Sequence, residues 1–178
     1  MIELYSDRLR LRCLRDEDWP AFLYVHQDPD INRYVRQPDT GANIRSKFEQ
    51  RSQPWVYGAG EWLTLVIEEI DSQQTIGFTG LYCQDFALAH AEVGYLLLPQ
   101  AYGKGYATES LRAVIDWACL SFDVHKFIGH CAQDNKASAR VLEKCGFQLE
   151  GILRHNFKIG DVWIDDCAYG LLAEERLL

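Results

Sequence analysis

Two glycines flank a lysine in "PQAYGKGYATES", Pro99 to Ser110, between an apolar strand-like run and a helix-like one. A glycine turn that feeds a helix N-terminus suits anions, phosphate above all. Its backbone N–H groups point outward along the positive end of the helix dipole. Spacing excludes two phosphate loops. A P-loop needs G-x-x-x-x-G-K-[ST], whereas Lys104 is followed by Gly105. A dinucleotide fingerprint needs G-x-G-x-x-G, and its third glycine position holds Thr108. A loop with glycines and no ligand is the plain alternative. Other reactive pairs are poorly placed. His130 and Cys131 are adjacent in a strand-like run and so face opposite sides, which argues against a Cys–His dyad. No Ser/His/Asp order and no His-rich spacing points to hydrolysis or a metal.

The elements that must position this turn follow from periodicity. "RLRLRCL" (Arg8 to Leu14) alternates as a half-buried strand, and Asp16 is placed to cap a helix with Glu17, Asp18 and Pro20 in its first turn. Between Asp28 and Gly60 the pattern is weak, with short helices expected at "INRYV" and "NIRSKFEQR". Trp62–Glu69 and Thr75–Cys83 flank the polar "IDSQQ" as an antiparallel hairpin, and Ala91–Leu98 is a third strand ended by Pro99. Ala107, Leu111, Val114, Ile115, Ala118 and Phe122 recur at helical spacing. Lys126–Ala132 is a strand, "NKASARVLEKCGF" a capped helix closing on Gly146. Strands near Leu149–His155 and Val162–Leu171 turn at Gly160-Asp161. This order gives an α+β fold, a mixed, mostly antiparallel sheet of about six to seven strands flanked by helices.

The 178 residues suit one domain spanning the chain. A domain of this length buries about 70% of its unfolded surface and needs no disulfide or metal staple. A net charge of −8 argues against general nucleic-acid or membrane-surface binding and mildly favours cationic partners. The six cysteines form no C-x-x-C pair and no zinc spacing. "MIELYSDRLRLR" lacks the apolar core of a signal peptide, and no run approaches the ~18 apolar residues of a membrane span. The expectation is a soluble cytoplasmic protein.

Gln100-x-x-Gly103-x-Gly105-x-Ala107 resembles the Q/R-x-x-G-x-G/A signature of the GNAT acyltransferase superfamily. "RLRLRCLRDEDWPAF", "AEVGYLLLPQAYGKGYATES", "NKASARVLEKCGF" and "LEGILRHNFKIGDVWIDDCAYGLL" are similar to blocks of its RimJ/RimL-type group, the ribosomal-protein N-terminal acetyltransferases. The resemblance implies that Gly103, Lys104, Gly105, Tyr106, Ala107 and Thr108 hold the pyrophosphate of acetyl-coenzyme A. It implies that the strand at Ala91–Leu98 and the next one splay, pantetheine bonding the backbone of Leu96, Leu97 and Leu98. The resemblance gives Asn135 a bond to the pantetheine arm, alongside its value as an N-cap. Ser138 lies near the coenzyme sulfur in that pattern and could protonate the thiolate. The tyrosine that serves many such enzymes as general acid, seven residues after the asparagine, is here Leu142.

The reaction implied is direct attack of a neutral amine on the thioester, so a base must take a proton. Glu92 is the foremost choice. It stands in an otherwise apolar strand two residues before Gly94, and burial would raise its pKa. An edge-facing structural carboxylate is the competing explanation. Asp161, Asp165 and Asp166 are weaker choices, read as turn and structural groups, and the N–H near Leu97 would hold the oxyanion. Tyr34, Trp55 and Tyr57 lie in the unmatched region that shapes the acceptor pocket in such enzymes, and stay unassigned. The expected activity is acetyl transfer from acetyl-coenzyme A, without a metal, to a protein N-terminus, a ribosomal protein included, or to a small amine (polyamine, amino acid or antibiotic). A coenzyme A sensor without turnover is the alternative.

Overall fold

The alternating apolar residues of the first strand-like stretch set the register of a large sheet. The computed structural model describes residues 2–176. Its strands are β1 (Glu3–Tyr5), β2 (Leu9–Cys13), β3 (Leu63–Glu69), β4 (Thr75–Asp85), β5 (His90–Leu97), β6 (Lys126–Ala132), β7 (Gln148–Ile159) and β8 (Val162–Leu172). The helices are α1 (Trp19–Gln27), α2 (Gly41–Arg51), α3 (Tyr106–Phe122) and α4 (Lys136–Lys144). The sheet has eight strands in the order β1-β2-β3-β4-β5-β6-β8-β7. Every neighbouring pair is antiparallel except β5–β6. The strand beyond the six or seven expected is β1, whose three residues are too short to show alternation.

Alternation divides the core between two faces. Leu9, Leu11, Leu65, Ile67, Val93, Leu97, Phe127 and Cys131 meet α3 and α4 on one side. Val66, Phe78 and Leu98 meet α1 and α2 on the other, around Phe22, Ile44 and Phe48. None of the described helices is long and apolar enough to cross a membrane.

Two local expectations are corrected. Asp16 does not cap α1. Asp18 stands at the N-cap of α1, and its carboxylate bonds no N–H of the helix; it accepts the Arg15 N–H at 2.7 Å and both Arg12 Nη atoms at 2.8 Å. Arg12 is 4% exposed, and its Nε also donates to Glu68 Oε1 at 2.6 Å, so this cluster ties the α1 entrance to β2 and β3. "INRYV" is a series of turns, not a helix. Asp28 Oδ1 accepts from the N–H groups of Asp30 and Ile31, and Asn32 Nδ2 donates back to Val25 O and Asp28 O. Those side-chain bonds compete with helical ones.

Candidate active site

The glycine turn between β5 and α3 is built to meet an anion. Gly103 and Gly105 have φ of 74° and 82°, the left-handed region open to glycine, and Gly105 caps the 17-residue α3. The backbone N–H groups from Gly103 to Thr108 have no acceptor among the described residues. Arg8 braces the turn. Its Nη1 donates to Lys104 O at 3.1 Å, its Nε donates to Glu109 Oε2 at 2.8 Å, and its guanidinium lies 4.6 Å from the Tyr106 ring centroid. Burial pushes the Glu109 carboxyl up, but bonds from Ser6 and Arg8 outweigh it and hold it lower. Tyr106 also donates its hydroxyl to Glu69. These side chains pin the turn and leave its N–H groups free.

Next to the turn the sheet opens. β5 pairs with β6 only from His90↔Lys126 to Val93↔Gly129, while its pairing with β4 continues to Gly77↔Leu97. Gly94 to Leu97 therefore have an edge facing no strand. The Leu98 N–H donates to Ile76 O at 2.9 Å, so strand alternation turns Leu98 and Leu96 toward β4, and Tyr95 and Leu97 toward the gap. Helix α4 wedges the gap at its far side. A Cβ on Gly129 would lie 2.6 Å from Leu142 Cδ2, and Leu142 is 2% exposed. The position of the missing tyrosine is thus filled by a core side chain.

A pair of hydroxyls, one of them from β5, does line the gap. Tyr95 Oη is 2.7 Å from Ser138 Oγ and 3.3 Å from Ser138 O. Burial pushes the Tyr95 phenol up, so it stays protonated. Asn135 Oδ1 accepts the Ser138 N–H at 3.1 Å and caps α4. Tyr95 was not singled out in the sequence, where it reads as one more apolar residue of "AEVGYLLL".

On the opposite face of the sheet lies a second set of groups. Glu92, Gly94 and Leu96 point toward α1 and α2, as does Trp62. The space left by Gly94 is used by Trp62, whose Cη2 would lie 3.4 Å from a Cβ there. Trp62 stacks on Tyr82, the cross-strand neighbour of Glu92, with centroids 5.8 Å apart. The half-buried Glu92 carboxylate has no hydrogen bond or ion pair among the described residues. Its pKa is raised by burial; the nearby His130 opposes this and Asp166 adds to it. His130 Nδ1 sits 2.9 Å from Asp166 Oδ2, which also accepts from Asn156 Nδ2 at 3.1 Å. That bond to Asp166 raises the His130 pKa against the effect of burial.

A cavity of about 970 Å³ joins the two sets, running from Gly103 past Tyr95 and Ser138 to Glu92 and His130. Asp166 belongs to its wall, while Asp165 accepts the His155 N–H at 2.8 Å at an irregularity of β7, and Asp161 lies at the hairpin turn. Of the three aromatics left unassigned, Tyr34 reaches the cavity. Trp55 and Tyr57 pack on Phe122, at 5.7 and 4.4 Å between centroids, on the α3 side. Asp30, Arg36 and Arg51, from the stretch with the weakest pattern, also line the cavity.

Comparison with known proteins agrees with this geometry. Residues 8–148 match the acetyltransferase (GNAT) domain family. The chain is 28% identical over 177 residues to the uncharacterized N-acetyltransferase p20 of Bacillus licheniformis, covering 98% of each chain. It is 30% identical over 86 residues, 48% of each chain, to the ribosomal-protein-serine acetyltransferase of Escherichia coli, in keeping with the RimJ/RimL-type likeness. The fold is that of spermidine N-acetyltransferase from Vibrio cholerae, solved in complex with CoA and spermine, with a TM-score of 0.83, 22% identity and coverage of 96% and 98% of the two chains. The chain belongs to the acetyltransferase (GNAT) family, the N-acetyltransferases that draw on acetyl-coenzyme A.

Proposed function

We propose that this chain moves an acetyl group from acetyl-coenzyme A to a primary amine by direct attack, the two substrates meeting in the gap between β5 and β6. The observation that carries this reading is the end of β5–β6 pairing at Val93–Gly129, beside a turn with six free N–H groups. The N–H groups from Gly103 to Thr108 receive the pyrophosphate, with Lys104 adding charge. The backbone groups of Tyr95 and Leu97 receive pantetheine and the thioester oxygen, as a free strand edge receives a peptide. The expected backbone role does not extend to Leu98, whose N–H goes to Ile76 O and whose C=O accepts from Ala101, nor to Leu96, which alternation turns toward β4; both side chains pack on the α1/α2 face. Asn135 holds the start of α4 in place beside the pantetheine arm.

Each proton has a carrier. Glu92 removes one from the incoming ammonium, the amine lone pair then forms the C–N bond, and the nitrogen of the tetrahedral adduct gives up its second proton to solvent. As the C–S bond breaks, its electrons go to sulfur, and Ser138 donates a proton to the thiolate. Ser138 regains a proton from solvent. The Tyr95 phenol, held protonated, positions the serine. A thiol pKa near ~8.5 makes the thiolate an easy leaving group, so this acid has a light task.

The relatives act, by name, on a ribosomal protein and on spermidine, so both a protein N-terminus and a small amine belong in the test. Purified protein is incubated with acetyl-coenzyme A and a panel of polyamines, amino acids and N-terminal peptides, and free thiol is measured. Amine-dependent thiol release with a matching acetylated product is expected. Tight acetyl-coenzyme A binding with no release on any amine would make the chain a sensor.

A further inference from the structure

Two guanidinium groups in the cavity wall make no ion pair among the described residues. Arg51, the last residue of α2, donates from Nη1 to Thr64 Oγ1 at 3.2 Å. Arg36 follows the turn closed by the Val35 N–H and Asn32 O, and its side chain makes no hydrogen bond among the described residues. The acids nearby are engaged elsewhere. Asp39 takes Lys47 Nζ at 2.8 Å, and Glu61 takes Gln50 Nε2 at 2.6 Å. Burial pushes both arginines down, Arg51 to about 10, and the charge of Arg36 adds to the effect on Arg51; Asp39 opposes it on Arg36 and Glu61 on Arg51 without reversing either. Two like charges are therefore held near each other and partly stripped of water. Such groups are costly to bury without a partner, and a guanidinium is suited to a planar oxyanion by its paired N–H donors.

Their place in the sheet relates them to Glu92. Thr64 pairs with Gly80, and Gly80 with Gly94, in one cross-strand row on the face that carries Glu92. Two strand spacings put the anchor of Arg51 roughly 10 Å from Gly94. The cavity thus has a cationic end at Arg36 and Arg51, and an anionic end at Glu92 and Asp166. We propose that the acceptor is a small molecule whose carboxylate and amine are set apart by several carbons, as in the side chain of lysine, with the carboxylate at Arg36 and Arg51 and the amine at Glu92. This rests on the acetyl-transfer reading above and narrows its acceptor. A polyamine has no group for the cationic end and is repelled by it.

The test compares amines with and without the carboxylate, as matched pairs: lysine and cadaverine, ornithine and putrescine, 6-aminohexanoate and pentylamine. Peptide amides with a free N-terminus form a third arm. With the full-length protein and saturating acetyl-coenzyme A, kcat/KM for thiol release is expected to favour the carboxylated member of at least one pair by tenfold or more. The Arg36→Gln/Arg51→Gln double variant brings that ratio toward unity, and Arg51→Lys keeps part of it. Equal or higher kcat/KM for the decarboxylated members or the peptide amides overturns the proposal. So does an unchanged ratio in the double variant. Release with amines of any class leaves acetyl transfer standing while the ratio decides the acceptor, so the two readings fail separately. If no amine is turned over, thermal shift with the same amino acids in the presence of coenzyme A decides. A rise in Tm for the wild type, absent in the double variant, supports the site, and no rise overturns it.

Discussion

Tyr95 Oη and Ser138 Oγ, 2.7 Å apart, join the free edge of β5 to the first turn of α4 across the gap in the sheet. The two hydroxyls act as one unit in the proposed mechanism. Ser138→Ala is expected to lower kcat about tenfold, at or below the low end of general-acid effects, because the leaving thiolate needs little help. Tyr95→Phe lowers it a few-fold through loss of positioning, with KM for acetyl-coenzyme A little changed. The double variant falls no further than Ser138→Ala. Steady-state kinetics of the three variants check this, and multiplicative losses would show two independent roles.

Glu92 gives a prediction with two signs. Its pKa is raised by burial, so the base form is lost at higher pH than for an ordinary carboxylate, and wild-type kcat/KM falls as pH drops through that raised value. Glu92→Gln is expected to reduce kcat/KM about a hundredfold at neutral pH and to abolish this acidic limb. Stability runs the other way. A raised carboxyl pKa favours the folded state below the ordinary carboxylate pKa, and that contribution is lost as pH rises through the raised value. Glu92→Gln should therefore melt above wild type at pH 8, the gap closing as pH falls toward 4. A pH series of kinetics and melting curves reads both. An unaltered acidic limb in the variant would move the role of base to His130 or to water.

The Arg12–Asp18 pair tests the frame that carries the site. Asp18→Ala leaves a buried guanidinium with Glu68, the Cys13 carbonyl and, at 3.9 Å, Glu17, and is expected to cost about 3–5 kcal/mol. Denaturant unfolding measures it. A loss under 1 kcal/mol would mean that the remaining partners satisfy Arg12.

Legibility in the sequence depended on how local each signal was. The anion turn and α3 could be read because two glycines at positive φ and a helical repeat are written in consecutive residues. Asn135 and Gly146 marked α4 for the same reason. Glu92 was visible as a lone charge in an apolar run. His130 and Asp166 were not linked, because their meeting depends on β6 and β8 being neighbours although 36 residues separate the two side chains. Tyr95 was hidden by its type, since an aromatic in a strand usually packs. Asp30, Arg36 and Arg51 come from turns and a helix end with little apolar periodicity, so only the fold brings them to the cavity.

The central claim is that the turn at Gly103–Thr108 and the gap beside it hold acetyl-coenzyme A for an amine. Thiol release measured against acetyl-coenzyme A concentration, with and without amine, for wild type and Gly105→Val, tests it most directly. Valine is strained at a φ of 82° and disturbs the helix N-terminus. The account predicts release that requires amine, with at least a tenfold higher KM for acetyl-coenzyme A in the variant. Release independent of amine, or a KM indifferent to Gly105, would contradict it.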